Sequence, residues 1–183
     1  MRIAPFIALA ASLCSCEMSV YSTTGVSAST SAGEAPHPSP LEGWTIQGHA
    51  SAAYRAEVDQ DVQRDGHATI RFHPVEDPGG AYGTFMTSFD ARPFRGRRAH
   101  AVVFIRTQGV TARGDVWLRA QAVDSPPDGP GLATSITQLA ANADFRQYEL
   151  LVDVPDGADK VQLGIGIAGP GMLWMDGVKV EAQ

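Results

Sequence analysis

From Leu41 onward, apolar and polar residues alternate with a period of two over short runs, and clusters of Gly, Pro and Asp interrupt them. Successive side chains on a pleated strand point to opposite faces, so this period predicts short antiparallel strands with one dry side each. The clearest predicted strands are Ala53 to Val58, His67 to Phe72, Tyr82 to Phe89, Arg98 to Thr107, Val116 to Val123, Gln147 to Val152, Val161 to Ala168 and Met172 to Val180. Turn residues such as Asp77-Pro78-Gly79-Gly80 and Asp156-Gly157 separate several of them. No run carries the 3.6-residue period of an amphipathic helix. Many strands at this spacing predict an all-β chain folded as an antiparallel β-sandwich. Asp124 to Asn142, containing SPPDGPG, reads as the longest irregular stretch, and such a loop in a compact domain is often a binding or lid element.

Parity sorts the side chains by face. Ala99, Ala101, Val103 and Ile105 form one apolar row, as do Val116, Leu118, Ala120 and Ala122, and both rows are expected in the core. Phe85, Phe89, Val161, Leu163, Ile165 and Ile167 are expected to point inward as well. The opposite rows are mixed. They hold Arg98, His100, Phe104 and Arg106 on one strand, Trp117, Arg119 and Gln121 on the next, and Tyr82, Thr84, Met86 and Ser88 on a third. The row Gln162, Gly164, Gly166 and Ala168 is small, which predicts room above the sheet.

An aromatic plane, planar hydrogen-bond donors and a concavity are what a sugar ligand requires. The candidate ligand-binding residues are therefore Tyr82, Thr84, Arg106, Trp117, Arg119 and Gln121. The alternative is that Trp117 and Tyr82 form a minor second core beneath the 124–142 loop, with Arg106 and Arg119 solvated or paired to acids such as Asp124.

The N-terminus reads differently. After Arg2, the apolar stretch Ile3 to Leu13 is too short to span a bilayer and has the length of a signal-peptide core. It ends in Leu13-Cys14-Ser15-Cys16, which resembles the bacterial lipobox and implies lipidation at Cys16. Ordinary secretion with cleavage near Ser15 is the alternative. From Glu17 to Pro40 the chain is rich in Ser, Thr, Ala, Gly and Pro without periodic apolar positions, the composition of a flexible linker. The expected organisation is thus a lipoprotein-type signal peptide over 1–16, a linker over 17–40 and a β-sandwich over 41–183.

Charge and motifs narrow the chemistry. The formal charge of -6, from 14 basic and 20 acidic side chains without a basic run, argues against a nucleic-acid partner. The two cysteines, Cys14 and Cys16, precede any globular sequence, so neither a disulfide framework nor a Cys-based zinc site holds the fold. The five histidines form no HExxH pattern, and neither a Gly-x-Ser-x-Gly elbow nor a Walker-type loop occurs. Turn carboxylates such as Glu76, Asp77, Asp156 and Asp159 ordinarily serve the turns, although a glycosidase pair is defined by separation in space and not by sequence.

From Gly43 onward the chain resembles bacterial jelly-roll domains of the galactose-binding-like type, similar to carbohydrate-binding modules and to sandwich domains appended to some bacterial transcription regulators. The resemblance is carried by Gly43-Trp44 with Tyr54 and Gly66, by YGTFMTSFDARPFRGRRAHAVVFIRT from Tyr82, by GDVWLRAQ from Gly114, and by DFRQYELLVDVPDGADKVQLGIGIAGPGMLWMDGVKVE from Asp144. It implies a jelly-roll sandwich across nearly the whole domain. It also implies an arginine, Gly-Thr and a tryptophan between the Trp117 and Tyr148 strands, where this chain has GPGLATSITQLAANADF with Phe145 at the tryptophan's place. In carbohydrate-binding modules the closing strand carries acids that help hold a structural calcium. Here Asp176 matches one of them, and Gly177 replaces the second.

Together these features predict a non-catalytic, lipid-anchored protein of the cell envelope, periplasmic or outer-membrane, with a carbohydrate-binding-like module and no cofactor beyond a candidate calcium at Asp176. A structural or protein-interaction lipoprotein that uses the exposed sheet face is the alternative, and a hydrolase is the third reading.

Overall fold

The computed structural model describes residues 41–125 and 131–183. The expected signal segment with Cys16, the expected linker over 17–40 and residues 126–130 of the SPPDGPG stretch lie outside the described residues.

Ten strands follow one another: β1 (Trp44–Gln47), β2 (Tyr54–Arg64), β3 (His67–Pro74), β4 (Tyr82–Asp90), β5 (Arg98–Gln108), β6 (Arg113–Gln121), β7 (Ala133–Gln138), β8 (Ala143–Asp153), β9 (Lys160–Ala168) and β10 (Met172–Ala182). They form two five-stranded sheets, a front sheet ordered β1-β4-β9-β6-β7 and a back sheet ordered β2-β3-β10-β5-β8. Neighbouring strands run antiparallel throughout both sheets. The result is the predicted all-β sandwich of jelly-roll type.

The inner rows fall where parity places them. Ala99, Ala101, Val103, Ile105, Val116, Leu118 and Ala120 have no exposed surface. Against them pack Phe85, Leu163, Ile165 and Ile167 of the front sheet and Phe72, Leu150, Leu173 and Met175 of the back sheet. An aromatic ladder crosses this core: Trp44 stacks on Phe85 at 4.8 Å, Phe85 on Phe72 at 6.0 Å and Phe72 on Tyr54 at 5.2 Å between ring centroids. Each such side chain contributes about 1.5–3 kcal/mol of burial free energy, and the Tyr54 hydroxyl keeps its polar end satisfied by donating to the carbonyl of Ala81 at 3.0 Å.

Three expectations change. Ala122 lies beyond the end of β6 and is only half-buried, because the chain leaves the sheet at Gln121. The stretch from Asp124 to Asn142 is not irregular throughout: Ala133–Gln138 pairs with β6 in register Trp117 to Ile136 and Arg119 to Thr134. This strand contains a single large apolar residue, Ile136, and its inward side, Ala133, Ser135 and Thr137, is only half-buried at the sheet edge, so its hydrophobic period is faint. Finally, β10 carries a bulge between Asp176 and Lys179. Leu173 and Met175 point inward before it and Val178 and Val180 after it, so the inner row passes from odd to even numbers.

Candidate functional site

The outward face of the front sheet is built around two glycines. Register places Gly164 of β9 between Met86 of β4 and Trp117 of β6, and Gly166 between Thr84 and Asp115. A Cβ at Gly164 would lie 2.2 Å from Cζ2 of the Trp117 indole, and one at Gly166 would lie 2.0 Å from the Tyr82 hydroxyl oxygen. The two rings therefore lie directly on strand backbone that has no side chain. The expected room above the small residues is filled by aromatic surface, which explains why Trp117 is only 8% exposed while Leu118, on the other side of the same strand, is fully buried in the core.

Above this floor lies a depression of about 350 Å³. Tyr82, Thr84 and Met86 line one side of it, Arg113, Trp117 and Arg119 its middle, and Thr134 and Ile136 of the edge strand β7 the far side. Gln47, Gly48 and the exposed His49 close the end nearest β1.

Each aromatic ring is accompanied by a guanidinium. Arg119 sits 4.4 Å over the Trp117 ring and Arg113 sits 5.0 Å over that of Tyr82, contacts that contribute about 0.5–1 kcal/mol each at exposed sites. Arg119 also donates from Nε to Oε1 of Gln162 at 2.9 Å, and Nε2 of Gln162 donates to the Ser88 hydroxyl at 3.0 Å. These three residues stand in register on adjacent strands, forming a polar row beside the aromatic one. Beneath the depression Asp115 is fully buried, accepting the Tyr82 hydroxyl on Oδ1 and Nε of Arg113 on Oδ2 at 2.5 Å. Burial first, and then the adjacent Asp115 charge, drive the Tyr82 hydroxyl far above the usual phenol range, so it is a neutral donor at any physiological pH.

Of the six ligand residues expected from sequence, Tyr82, Thr84, Trp117 and Arg119 come together on this face. Two do not. Gln121 has the expected parity but is 4% exposed and outside the depression, since Gly131 passes over it: a Cβ there would lie 3.4 Å from Gln121 Cγ. Arg106 belongs to β5 of the back sheet and therefore faces the opposite side of the molecule, where it sits 5.3 Å over the Trp174 ring. Alternation defines a face within one strand, but it does not say which strands share a sheet. Gln47, His49, Arg113 and Ile136 went unrecognised. Arg113 was legible, because it continues the row of Trp117 and Arg119 toward the start of β6. Among the described residues, Trp117 and Tyr82 lie against the glycine track and beside the paired guanidiniums, with Thr134 and Ile136 of the 124–142 segment lining the same depression; residues 126–130 of that segment lie outside the described residues.

The candidate calcium position has no fit. Oδ2 of Asp176 accepts Nε of Arg64 at 2.7 Å, so a cation already occupies the carboxylate, and the same guanidinium stacks 3.8 Å over Phe104. Gly177, at φ +61°, leaves space for this stack: a Cβ would meet Phe104 at 3.0 Å and Arg64 at 3.1 Å. No group of three or more His, Cys, Asp or Glu residues that could hold a metal occurs among the described residues. None of the described residues lining the depression is an Asp or Glu.

No family model matches the chain. A curated relative, the uncharacterized HTH-type transcriptional regulator YbfP of Bacillus subtilis, is 27% identical over 145 residues, which cover 77% of this chain and 48% of the relative. The chain thus spans about half the length of the curated relative it matches. Among solved structures, the enzymatically active domain of bacteriophage CBA120 tailspike protein 4 aligns over 78% of this chain and 20% of its own, with 14% identity and a TM-score of 0.62. A family 4 carbohydrate-binding module aligns over 76% of this chain and 86% of its own, with 18% identity and a TM-score of 0.52. The CBM22-1 xylan-binding domain of Paenibacillus barcinonensis Xyn10C aligns over 79% and 88%, with 10% identity and a TM-score of 0.52. What the chain shares with these structures is the fold, the β-sandwich jelly roll of carbohydrate-binding modules.

Proposed function

We propose that the sandwich is a non-catalytic carbohydrate-binding module whose ligand occupies the depression above Trp117 and Tyr82. The observation that carries this reading is a depression with an aromatic floor that Arg119 lines, flanked on the same sheet face by Gln162 and Ser88, which continue the polar row from Arg119. Aromatic surface receives the C–H faces of a pyranose, and planar donors and amides match pairs of hydroxyls. The fold, shared with a xylan-binding domain, makes plant and envelope polysaccharides the first classes to try. The module acts at the cell envelope, held there by acyl chains on Cys16, and the Leu13-Cys14-Ser15-Cys16 pattern supports that placement.

Titration of residues 41–183 against soluble xylan, mixed-linkage β-glucan and peptidoglycan fragments, followed by tryptophan fluorescence and calorimetry, tests the proposal. Saturable binding that Trp117→Ala abolishes is expected. Indifference to every glycan overturns it.

A second reading has its own observation. Ile136, which lines the depression, is 49% exposed, and Leu132, two residues before Thr134 on the same edge segment, is 47% exposed, apolar surface that suits a protein partner. Capture of an envelope protein that Ile136→Asp prevents, without any glycan response, favours this reading.

A further inference from the structure

The two faces of the Trp117 indole are covered by groups of different kinds. One lies on the backbone of Gly164, where even a methyl group would stand 2.2 Å from the ring, and strand backbone cannot yield to a ligand. The other faces the guanidinium of Arg119 at 4.4 Å, and that group is carried on a half-buried side chain of a rotamer-rich type. Only 8% of Trp117 is left exposed. A sugar ring that stacks on this indole has a single route to it, through the place that Arg119 occupies.

The cover is held at its edge. Nε of Arg119 donates to Gln162, and Gln162 is fixed in turn by donating to Ser88, so the guanidinium lies along a polar row and not free over the depression. Sheet register sets this arrangement: Arg119, Gln162 and Ser88 are direct cross-strand partners on β6, β9 and β4, next to the row that holds Trp117, Gly164 and Met86.

We propose that Arg119 is a movable cover that competes with the ligand for Trp117, so that the site admits a neutral pyranose ring on the indole only when the guanidinium swings aside. This rests on the carbohydrate reading of the same depression and adds to it the residue that sets selectivity. Ligands able to bond the displaced guanidinium recover the contact it gives up, whereas ligands that only stack do not. Arg119 is thus a barrier to simple neutral sugars as much as a contact for richer ones.

The test separates the cover from the ligand. Trp44, Trp117 and Trp174 are 5%, 8% and 3% exposed, so all three indoles are shielded from acrylamide and a rise in quenching on removal of the Arg119 guanidinium is assigned to Trp117 by the Trp117→Phe control. Arg119→Ala is expected to increase quenching, and the increase is expected to vanish in Arg119→Ala with Trp117→Phe. Removing a contact of cation–π size from the competing state corresponds to about two- to fivefold tighter binding of soluble neutral xylan. Unchanged quenching in Arg119→Ala overturns the proposal, because the indole is then not covered. Greater quenching with weaker xylan binding also overturns it, because the hydroxyl contacts of Arg119 then outweigh any competition with the ligand for the indole. Greater quenching with no glycan bound by either protein strikes the carbohydrate reading itself and leaves the shielding of Trp117 standing.

Discussion

The indole N–H of Trp174 donates to Oδ2 of Asp59 at 2.9 Å, tying the closing strand β10 to the bulged strand β2. Oδ1 of the same carboxylate accepts the backbone N–H groups of Asp61 at 2.9 Å and Val62 at 3.0 Å, so one side chain caps the bulge and anchors the tryptophan. Burial by itself raises the pKa of Asp59, but the bonds from Trp174, Val62 and Asp61, with the charge of Arg71, outweigh it and hold the group below its ordinary value. Glu57 is lowered too, chiefly by its hydrogen bond from Arg71 and in spite of partial burial.

A carboxylate whose folded pKa is depressed contributes stability that is present above its unfolded value, about 4, and is lost as pH falls through the lower folded one. The domain should therefore lose stability steeply below about pH 4. Asp59→Asn is expected to cost about 1.5–3 kcal/mol at neutral pH, as a lost set of bonds to a charged acceptor, and to flatten the acid limb. Urea midpoints measured from pH 7 to pH 2 check both.

Tyr82 carries the opposite sign. Its raised folded pKa gives stability that is complete below the unfolded phenol value, about 10, and declines as pH rises beyond it. Tyr82→Phe should lower stability at pH 7 by about 1–3 kcal/mol, because Asp115 loses a partner while buried. It should also make the protein less sensitive to alkali, which thermal melts between pH 8 and pH 11 will show.

The glycine track makes a steric prediction. Gly164→Ala forces the Trp117 indole off the sheet and Gly166→Ala forces the Tyr82 ring, each at a cost of about 1–3 kcal/mol from overpacking. The fluorescence maximum of Gly164→Ala should shift to the red as the indole meets water. An unshifted spectrum would show that the ring is not seated on that backbone.

Leu118→Ala and Ile105→Ala remove fully buried side chains and should each cost about 2–5 kcal/mol. Arg119→Ala, on the outward side of the same strand as Leu118, loses the cation–π contact and the bond to Gln162 and should cost less than either core truncation. Equal losses in denaturant unfolding would contradict the assignment of faces.

Because Arg64 occupies the Asp176 carboxylate, calcium at millimolar levels and chelation should both leave the melting temperature unchanged. Arg64→Ala removes the competing cation, and a calcium-dependent rise in melting temperature for that variant alone would show that Arg64 stands where a metal otherwise sits.

Period-two alternation was enough to recognise the sandwich, because rows such as Ala99 to Ile105 and Val116 to Ala120 obey it without interruption. It was silent where geometry breaks the period: at the Asp176-Gly177 bulge, which exchanges odd for even, and in β7, where threonine and serine replace apolar residues. The site was half legible for a related reason. Trp117, Arg119, Tyr82 and Thr84 could be placed on outward rows, but Arg106 could be separated from them only by knowing that β5 pairs with β10 and β8 and lies in the other sheet. The glycines misled in an informative way. A row without side chains can mean an open space, or a seat cut to the shape of a neighbouring ring, and only the coordinates of Trp117 and Tyr82 distinguish the two.

The far wall of the depression belongs to β7, the outermost strand of its sheet, which contributes almost nothing to the interior. Ile136, half exposed and outward-facing, can therefore be exchanged for residues of other size or polarity with little loss of folding free energy, while Trp117 and Gly164 are locked to each other. The outline of the depression is thus adjustable along one border and fixed by packing along the rest, so its shape can change there without rebuilding the scaffold.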